Sequence, residues 1–174
     1  MTDRRLFLET RLAPSEEGVF EGHAAVFGER NWHGEIVQSG AFKRTIAEHV
    51  SRGINPPMLL HHDPRNIGGT WTELREDGRG LFVRGQFAMR TTAGKEAYEL
   101  ASMGALTGIS IGFRERAGKD VGSVRHLTDI DLVEISLVAL PSADGARIKS
   151  VRADSGLAAF ITAAREAASF IRTH

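Results

Sequence analysis

The ten residues DLVEISLVAL, Asp131 to Leu140, are the stretch on which the predicted fold depends. Side chains alternate between the two faces of a β-strand, and both faces of this segment are apolar except at Glu134 and Ser136. The pattern predicts a strand that is buried on both sides and carries one carboxylate. Because a buried carboxylate without a partner is costly, we expect a donor close to Glu134, and an arginine in a salt bridge is one candidate.

A second buried strand is predicted at LTGISIGF, Leu106 to Phe113. Its large apolar side chains share one face, whereas Ser110 stands between Gly108 and Gly112 on the other. Glycine inside a strand has no side chain to pack, and it often marks the close approach of a ligand or another backbone. Two interpretations therefore stay open here: a bend in a barrel with an incidental serine, or a hydroxyl presented to a ligand.

The third segment with isolated polar side chains is MLLHHD, which we interpret as a strand from Met58 to Asp63. On a strand, His62 shares a face with the apolar residues before it, and His61 points the other way. A serine becomes a good nucleophile when an adjacent base takes its proton, and a third group orients that base. Ser110, His62 and Glu134 have the side chains for these three roles, although each could also be purely structural.

A metal site is the competing interpretation, because HHD places three possible ligands in a row. Adjacent strand residues point to opposite faces, however, and the sequence has no H-x-x-x-H pair and no cysteine to complete a ligand set. We therefore expect no metal and no cofactor.

Length, charge and composition narrow the class of protein. The 174 residues are enough for one domain, and the 22 basic residues are balanced by 22 acidic ones. Without a net basic field, nucleic acid is not an expected partner. The chain has no cysteines and no apolar run long enough to cross a bilayer. We expect a cytoplasmic protein without disulfides or membrane partners.

Most of the remaining chain alternates apolar and polar residues between turn signals, which predicts a mainly β protein with peripheral helices. The 19 glycines agree with many turns. The predicted hairpin turns near Asp77 and Gly78. We predict two early strands, at residues 6–12 and 18–28, and the hairpin at residues 69–89. Three helices are predicted at residues 39–53, 92–104 and 156–171.

Six segments occur in this order along the chain: GHAAVFG, IVQSGAFKRTI, MLLHHDPRNIGGTW, DGRGLFVRGQF, LTGISIGF and LVEISLVALPSADGARI. Their most specific elements are a histidine before an aspartate, S-I-G-F and E-x-S-L-V-x-x-P. Taken together, from Gly18 to Val151, they resemble the prohead (capsid maturation) proteases of tailed phages, prophages and gene transfer agents.

The resemblance implies a fold and a set of site residues. These proteases are distantly similar to herpesvirus assemblins, so it implies a closed antiparallel β-barrel surrounded by a few helices, an α+β fold. It also implies a catalytic dyad of Ser110 and His62, not His61, with Glu134 where assemblins have a second histidine. The loop PSADGA, residues 141–146, departs from the more frequent P-A-N-P; by resemblance this region helps form the oxyanion hole, but no residue is assigned to it.

By the same resemblance, the protein is a serine endopeptidase that acts in the host bacterial cytoplasm, inside the assembling procapsid. Its substrates would be the scaffolding segment of the major capsid protein and the protease itself. We expect a protease domain at residues 1–152 and a helix at 153–174 that contacts capsid or a second copy in a homodimer or oligomer. The alternatives are a non-catalytic barrel that binds capsid or scaffold, and a small-molecule-binding barrel.

Overall fold

The computed structural model describes residues 4–9, 18–31 and 33–139. The predicted C-terminal helix and the PSADGA loop lie outside these ranges. The elements in the described residues are β1 Arg4–Glu9, β2 Val19–Val26, β3 Glu35–Val37, α1 Lys43–Arg52, β4 Met58–Leu60, β5 Asp63–Glu76, β6 Gly80–Phe87, α2 Thr92–Ser102, β7 Gly108–Val121 and β8 Val124–Val138.

All eight strands belong to one sheet, in the order β1-β7-β8-β4-β5-β6-β2, with β3 also paired to β8. Most neighbours are antiparallel, and the long hairpin of β7 and β8 provides the most extensive ladder. The mainly β prediction with peripheral helices is therefore confirmed. The two helices found in the described residues lie close to those predicted, and Gly53 ends α1 in the left-handed region, with φ 64°.

The predicted closed antiparallel barrel is not what the described strands form. Both β3 and β4 pair with β8 in parallel, at successive stretches of the same β8 edge, and α1 lies between them in the chain. The end strands β1 and β2 approach each other, yet within the described residues no ladder of backbone hydrogen bonds joins them. The sheet is therefore a curled, open half-barrel.

Strand β8 lies at the centre of the sheet, between β7 on one side and both β3 and β4 on the other. It is buried on both faces from Glu134 to Val138, as the apolar pattern predicts. Val133 is an exception, since 38% of its surface is exposed. The register moves from Gly112 opposite Glu134 to Phe113 opposite Leu132, so Val133 is an extra residue in a β-bulge. The bulge interrupts the alternation of faces just before Glu134.

Helix α1 covers the part of the β8 edge that lies between β3 and β4. There the backbone N–H of Ile130 donates to the carbonyl of Ala41, at 2.9 Å, and the N–H of Leu132 donates to Oγ1 of Thr45, at 3.1 Å. The carbonyl of Leu132 accepts from Nε2 of His49, at 3.1 Å. These bonds satisfy buried backbone groups that would otherwise be costly, and they hold β8 at the centre of the fold.

The hairpin of β5 and β6 turns at Asp77, where it is predicted to turn. One carboxylate oxygen of Asp77 accepts from the backbone N–H groups of Arg79 and Gly80, at 2.8 and 3.0 Å, and the other lies 2.8 Å from Nε2 of His23. Burial raises the pKa of Asp77, but the bonds from His23, Arg79 and Gly80 outweigh it and lower the pKa to about 2.

We expect Asp77→Asn to remove a pH-dependent part of the stability. Because the folded pKa lies below the ordinary 3.8, the ionised carboxylate stabilises the protein fully above about pH 4, and this contribution is lost as the pH falls towards 2. The shift corresponds to about 2 kcal/mol, and with a quarter of the side chain exposed (25%) we expect roughly 1 kcal/mol. Urea unfolding of both proteins at several pH values measures the difference, and a difference that does not change with pH would contradict the assignment.

Candidate active site

His61 and His62 form the turn between β4 and β5 rather than the end of a strand. Strand β4 ends at Leu60, which pairs with Asp63, so the two histidines are the central residues of a two-residue hairpin loop. Both have positive φ, 54° and 61°, as a type I′ turn requires. The prediction that strand alternation separates their side chains is therefore wrong, because the chain has already left the strand.

The left-handed conformation of this turn is unfavourable for residues with a Cβ atom, at about 1–2 kcal/mol each. Two hydrogen bonds to β8 hold it in place. The backbone N–H of His61 donates to the carbonyl of Leu137, at 2.9 Å, and the N–H of His62 donates to Oγ of Ser136, at 3.2 Å. The strained turn is thus fixed on the central strand, at the point where β8 is buried on both faces.

The register of β7 and β8 places the other polar side chains next to this turn. Ser110 pairs with Ser136, and Gly112 pairs with Glu134, so the four residues lie on the same face of two adjacent strands. On the opposite edge of β8, Leu59 of β4 pairs with Ser136. The His62 turn therefore folds over β8 towards Ser110.

Ser110, His62 and Glu134 form a continuous series of hydrogen bonds. Oγ of Ser110 lies 2.8 Å from Nε2 of His62, and Nδ1 of the same ring lies 2.5 Å from Oε1 of Glu134. An ionised carboxylate only accepts hydrogen bonds, so Nδ1 carries the proton and Nε2 is left as the acceptor for the Ser110 hydroxyl. The structure thus brings together all three residues predicted from the sequence.

These three side chains are withdrawn from solvent. Ser110 has 0% of its surface exposed, and the side chains of His62 and Glu134 are 6% and 10% exposed. The hydrogen-bond partners of Glu134 are His62 and Ser136, not the arginine that the sequence left open.

Gly112 is the residue beneath the Glu134 side chain. A Cβ atom built on Gly112 would lie 2.3 Å from Oε1 of Glu134 and 2.8 Å from its Cγ atom. The Glu134 side chain therefore lies directly over the bare backbone of Gly112 on its way to His62. The glycine makes room for a side chain of the protein itself.

Ser136 also belongs to this cluster, although the sequence analysis noted it only as a polar exception in a buried strand. Its hydroxyl donates to Oε2 of Glu134, at 2.6 Å, and it is fully buried. Glu134 and Ser136 are two residues apart, and two polar residues on one face of a buried strand are the signal that could have identified it. The pattern could not show that His62, in the turn after β4, donates a backbone hydrogen bond to Ser136.

Within the described ranges, no group of three or more His, Cys, Asp or Glu side chains is arranged to hold a metal ion. In the same part of the chain, no helix has the length and apolar character needed to cross a membrane.

A serine, a histidine and a carboxylate in a hydrogen-bonded series, carried on a curled β-sheet, are the arrangement that serine hydrolases use. Comparison with known proteins shows which protein family the chain belongs to. The sequence profile of the caudovirus prohead serine protease family matches residues 7–158. The chain therefore belongs to the caudovirus prohead serine protease family, and the predicted resemblance is confirmed.

Two individual relatives illustrate the similarity. The chain is 30% identical over 148 residues to the prohead protease of Enterobacteria phage HK97, a match that covers 82% of this chain and 64% of that protein. Its fold is similar to that of the bacteriophage T4 capsid assembly protease, with a TM-score of 0.61 over 79% of this chain and 97% of the other, at 11% identity. The second likeness concerns the fold alone.

We expect Gly112→Ala to displace the Glu134 carboxylate and to destabilise the protein by about 1–3 kcal/mol, because the added methyl group has no space. Gly78→Ala is the matched control, since a Cβ atom at Gly78 meets no atom within 4 Å. Urea unfolding measures the stability, and the far-downfield proton resonance of His62 Nδ1–H reports the hydrogen bond to Glu134. Equal stability and an unchanged resonance in both variants would contradict this packing.

Substitutions at His61 test the left-handed turn. His61 is exposed, so few contacts are lost. Glycine adopts positive φ without strain, and after its greater loss of backbone entropy we expect His61→Gly to be stabilising by roughly 0.5–1 kcal/mol. His61→Val should destabilise by about 1–2 kcal/mol or more, because a β-branched residue is least compatible with positive φ. If urea unfolding gave the two variants the same stability, the turn would not be left-handed in solution.

Proposed function

We propose that this protein is a serine endopeptidase that cleaves the scaffolding segment of the major capsid protein, and itself, during maturation of a phage or gene-transfer-agent capsid. The observation that carries the proposal is the hydrogen-bonded series from Ser110 through His62 to Glu134. Membership of the prohead protease family supports the proposed substrate class. The chain spans 64% of the length of the HK97 relative, so the activity and substrates are proposed on the strength of this site.

The proposed reaction begins at Oγ of Ser110, which attacks the carbonyl carbon of a peptide bond while Nε2 of His62 accepts its proton. The resulting imidazolium is stabilised by Glu134 through Nδ1–H. When the tetrahedral intermediate collapses, His62 returns the proton to the leaving amine, and an acyl group stays on Ser110. A water molecule then attacks the ester while His62 accepts its proton, and His62 passes that proton to Oγ of Ser110 as the acyl C–O bond breaks and the carboxylic acid product leaves.

The burial of the site has two consequences for this mechanism. In a water-poor environment the attraction between the imidazolium and Glu134 is stronger, so the charge that develops during attack is better stabilised. Because Ser110 has no exposed surface, a peptide reaches Oγ only when the groups that cover the serine move aside.

The proposed setting is the interior of the assembling procapsid, in the host cytoplasm. There the capsid subunits hold their scaffolding segments beside the protease at high local concentration, so a weak binding groove is sufficient. We propose residues 1–152 as the protease domain. We also propose that a helix at 153–174 contacts the capsid or a second copy of the chain, in a homodimer or higher oligomer.

The test is co-expression with the major capsid protein of the same phage or gene transfer agent, followed by intact mass measurement of the capsid protein. Four forms are compared: the wild type, Ser110→Ala, His62→Asn and His61→Asn. The two asparagine variants form a matched pair, because both positions have positive φ and asparagine tolerates that conformation. We expect shortened capsid protein with the wild type and His61→Asn, and full-length capsid protein with the other two.

The same assay distinguishes the alternatives. If all four forms yield the same shortened product, Ser110 and His62 do not carry the reaction. If nothing is cut but shells form only when the chain is present, the protein is a non-catalytic assembly factor. If neither effect is seen and native mass spectrometry finds a bound metabolite, the small-molecule-binding barrel is supported instead.

Glu134→Gln tests the third residue. A neutral amide in place of the carboxylate no longer holds the proton on Nδ1 and no longer stabilises the imidazolium. We expect the rate of capsid protein cleavage to fall by roughly 10³–10⁴-fold while the fold is kept. A rate within tenfold of the wild type, in a protein with unchanged thermal unfolding, would remove Glu134 from the proposed mechanism.

A further inference from the structure

We infer that Ser136 is a positioning residue that holds both His62 and Glu134 in the geometry of the site. This inference rests on the proposed function for its catalytic meaning, but the contacts that carry it are structural. A single buried hydroxyl joins the strained turn that carries the imidazole to the carboxylate that the imidazole contacts. No other side chain for which contacts are described bonds to both residues.

Ser136 lies on the central strand β8, between β7 and β4. It pairs with Ser110 across the β7 and β8 ladder and with Leu59 of β4 on its other edge. Adjacent strands are about 4.8 Å apart, so β4 and β7 lie roughly 10 Å from each other, with β8 between them. The imidazole of His62 must cross β8 to reach Ser110, and Ser136 lies on β8 in register with the serine.

The Ser136 hydroxyl makes two hydrogen bonds. Its one hydrogen is donated to Oε2 of Glu134, at 2.6 Å, and an oxygen lone pair accepts the backbone N–H of His62, at 3.2 Å. Glu134 therefore has a donor on each oxygen, Ser136 on Oε2 and His62 on Oε1. With both oxygens bound, the carboxylate cannot rotate away from the imidazole without breaking a buried hydrogen bond.

The left-handed turn of His61 and His62 also depends on Ser136. Because positive φ is unfavourable at both histidines, the turn persists only where other contacts hold it. Besides the bond from His61 to the Leu137 carbonyl, Ser136 is the acceptor that fixes the His62 backbone. Removing the Ser136 hydroxyl therefore loosens the base and its carboxylate at once.

Ser136 is not itself placed as a nucleophile. It is fully buried, and its hydrogen is directed to a carboxylate oxygen rather than to a nitrogen of His62. Nε2 of His62, the nitrogen that accepts a proton, lies beside Ser110 instead. Ser110 and Ser136 are paired in the ladder. Ser110 lies beside Nε2 of His62, whereas Ser136 binds the Glu134 carboxylate and the His62 backbone N–H.

The decisive comparison is Ser136→Thr with Ser136→Val. The two side chains have nearly the same shape and suit a strand, and only threonine keeps the hydroxyl. Two measurements that need no substrate are made on the full chain: the downfield resonance of His62 Nδ1–H, identified by its absence in His62→Asn, and hydrogen exchange of the His62 amide. Thermal unfolding is recorded for each protein, and the rate of capsid protein cleavage is measured in parallel.

We expect Ser136→Thr to keep the resonance, the protected amide and a cleavage rate within a few-fold of the wild type. Ser136→Val should lose the resonance and the protection, and its cleavage rate should fall by about 10–100-fold, since a displacement near 1 Å can cost that much. If Ser136→Val keeps the resonance and the amide protection as Ser136→Thr does, the inference is overturned.

If the extra methyl group disturbs both variants, Ser136→Ala decides by the same two signals: their loss in a folded protein supports the inference, and their retention overturns it. A wild type that shows the resonance but cleaves no capsid protein would sink the proposed function instead. In that case the comparison of resonances still decides whether Ser136 positions His62 and Glu134.

Discussion

The buried carboxylate of Glu134 is the group to which the surrounding structure is adapted. It is satisfied by His62 on one oxygen and by Ser136 on the other. Its side chain has room only because the residue opposite is Gly112, and it follows the bulge at Val133. Each of these features is unfavourable or neutral by itself. Together they remove the cost of burying a charge and direct that charge at the imidazole.

The turn of His61 and His62 shows a similar balance between strain and support. Two residues with side chains occupy positions that favour asparagine and glycine, and bonds to β8 hold them there. A regular strand would have pointed the two imidazoles to opposite faces of the sheet. By leaving the strand after Leu60, the chain brings His62 over β8, and the local strain serves to position the base.

The sequence predicted the members of the site better than it predicted their geometry. Isolated polar groups in apolar strands marked Ser110 and Glu134, and the family resemblance separated His62 from His61. Strand alternation does not extend through MLLHHD, because His61 and His62 form a two-residue turn that carries no Asn-Gly signal. Ser136 was visible as a polar exception, but its importance depends on β4, which is distant along the chain and pairs with β8 in parallel.

By itself, the sequence determined the mainly β character, the hairpin at Asp77, the two internal helices and the double burial of β8, because local periodicity and turn residues encode these features. The tertiary structure decided that the curled sheet is an open half-barrel. It also decided the parallel pairing of β3 and β4 with β8, and the bulge at Val133. Those features depend on contacts between distant segments. The site arises from those contacts, since three adjacent strands must be in register before Ser110, His62 and Glu134 can meet.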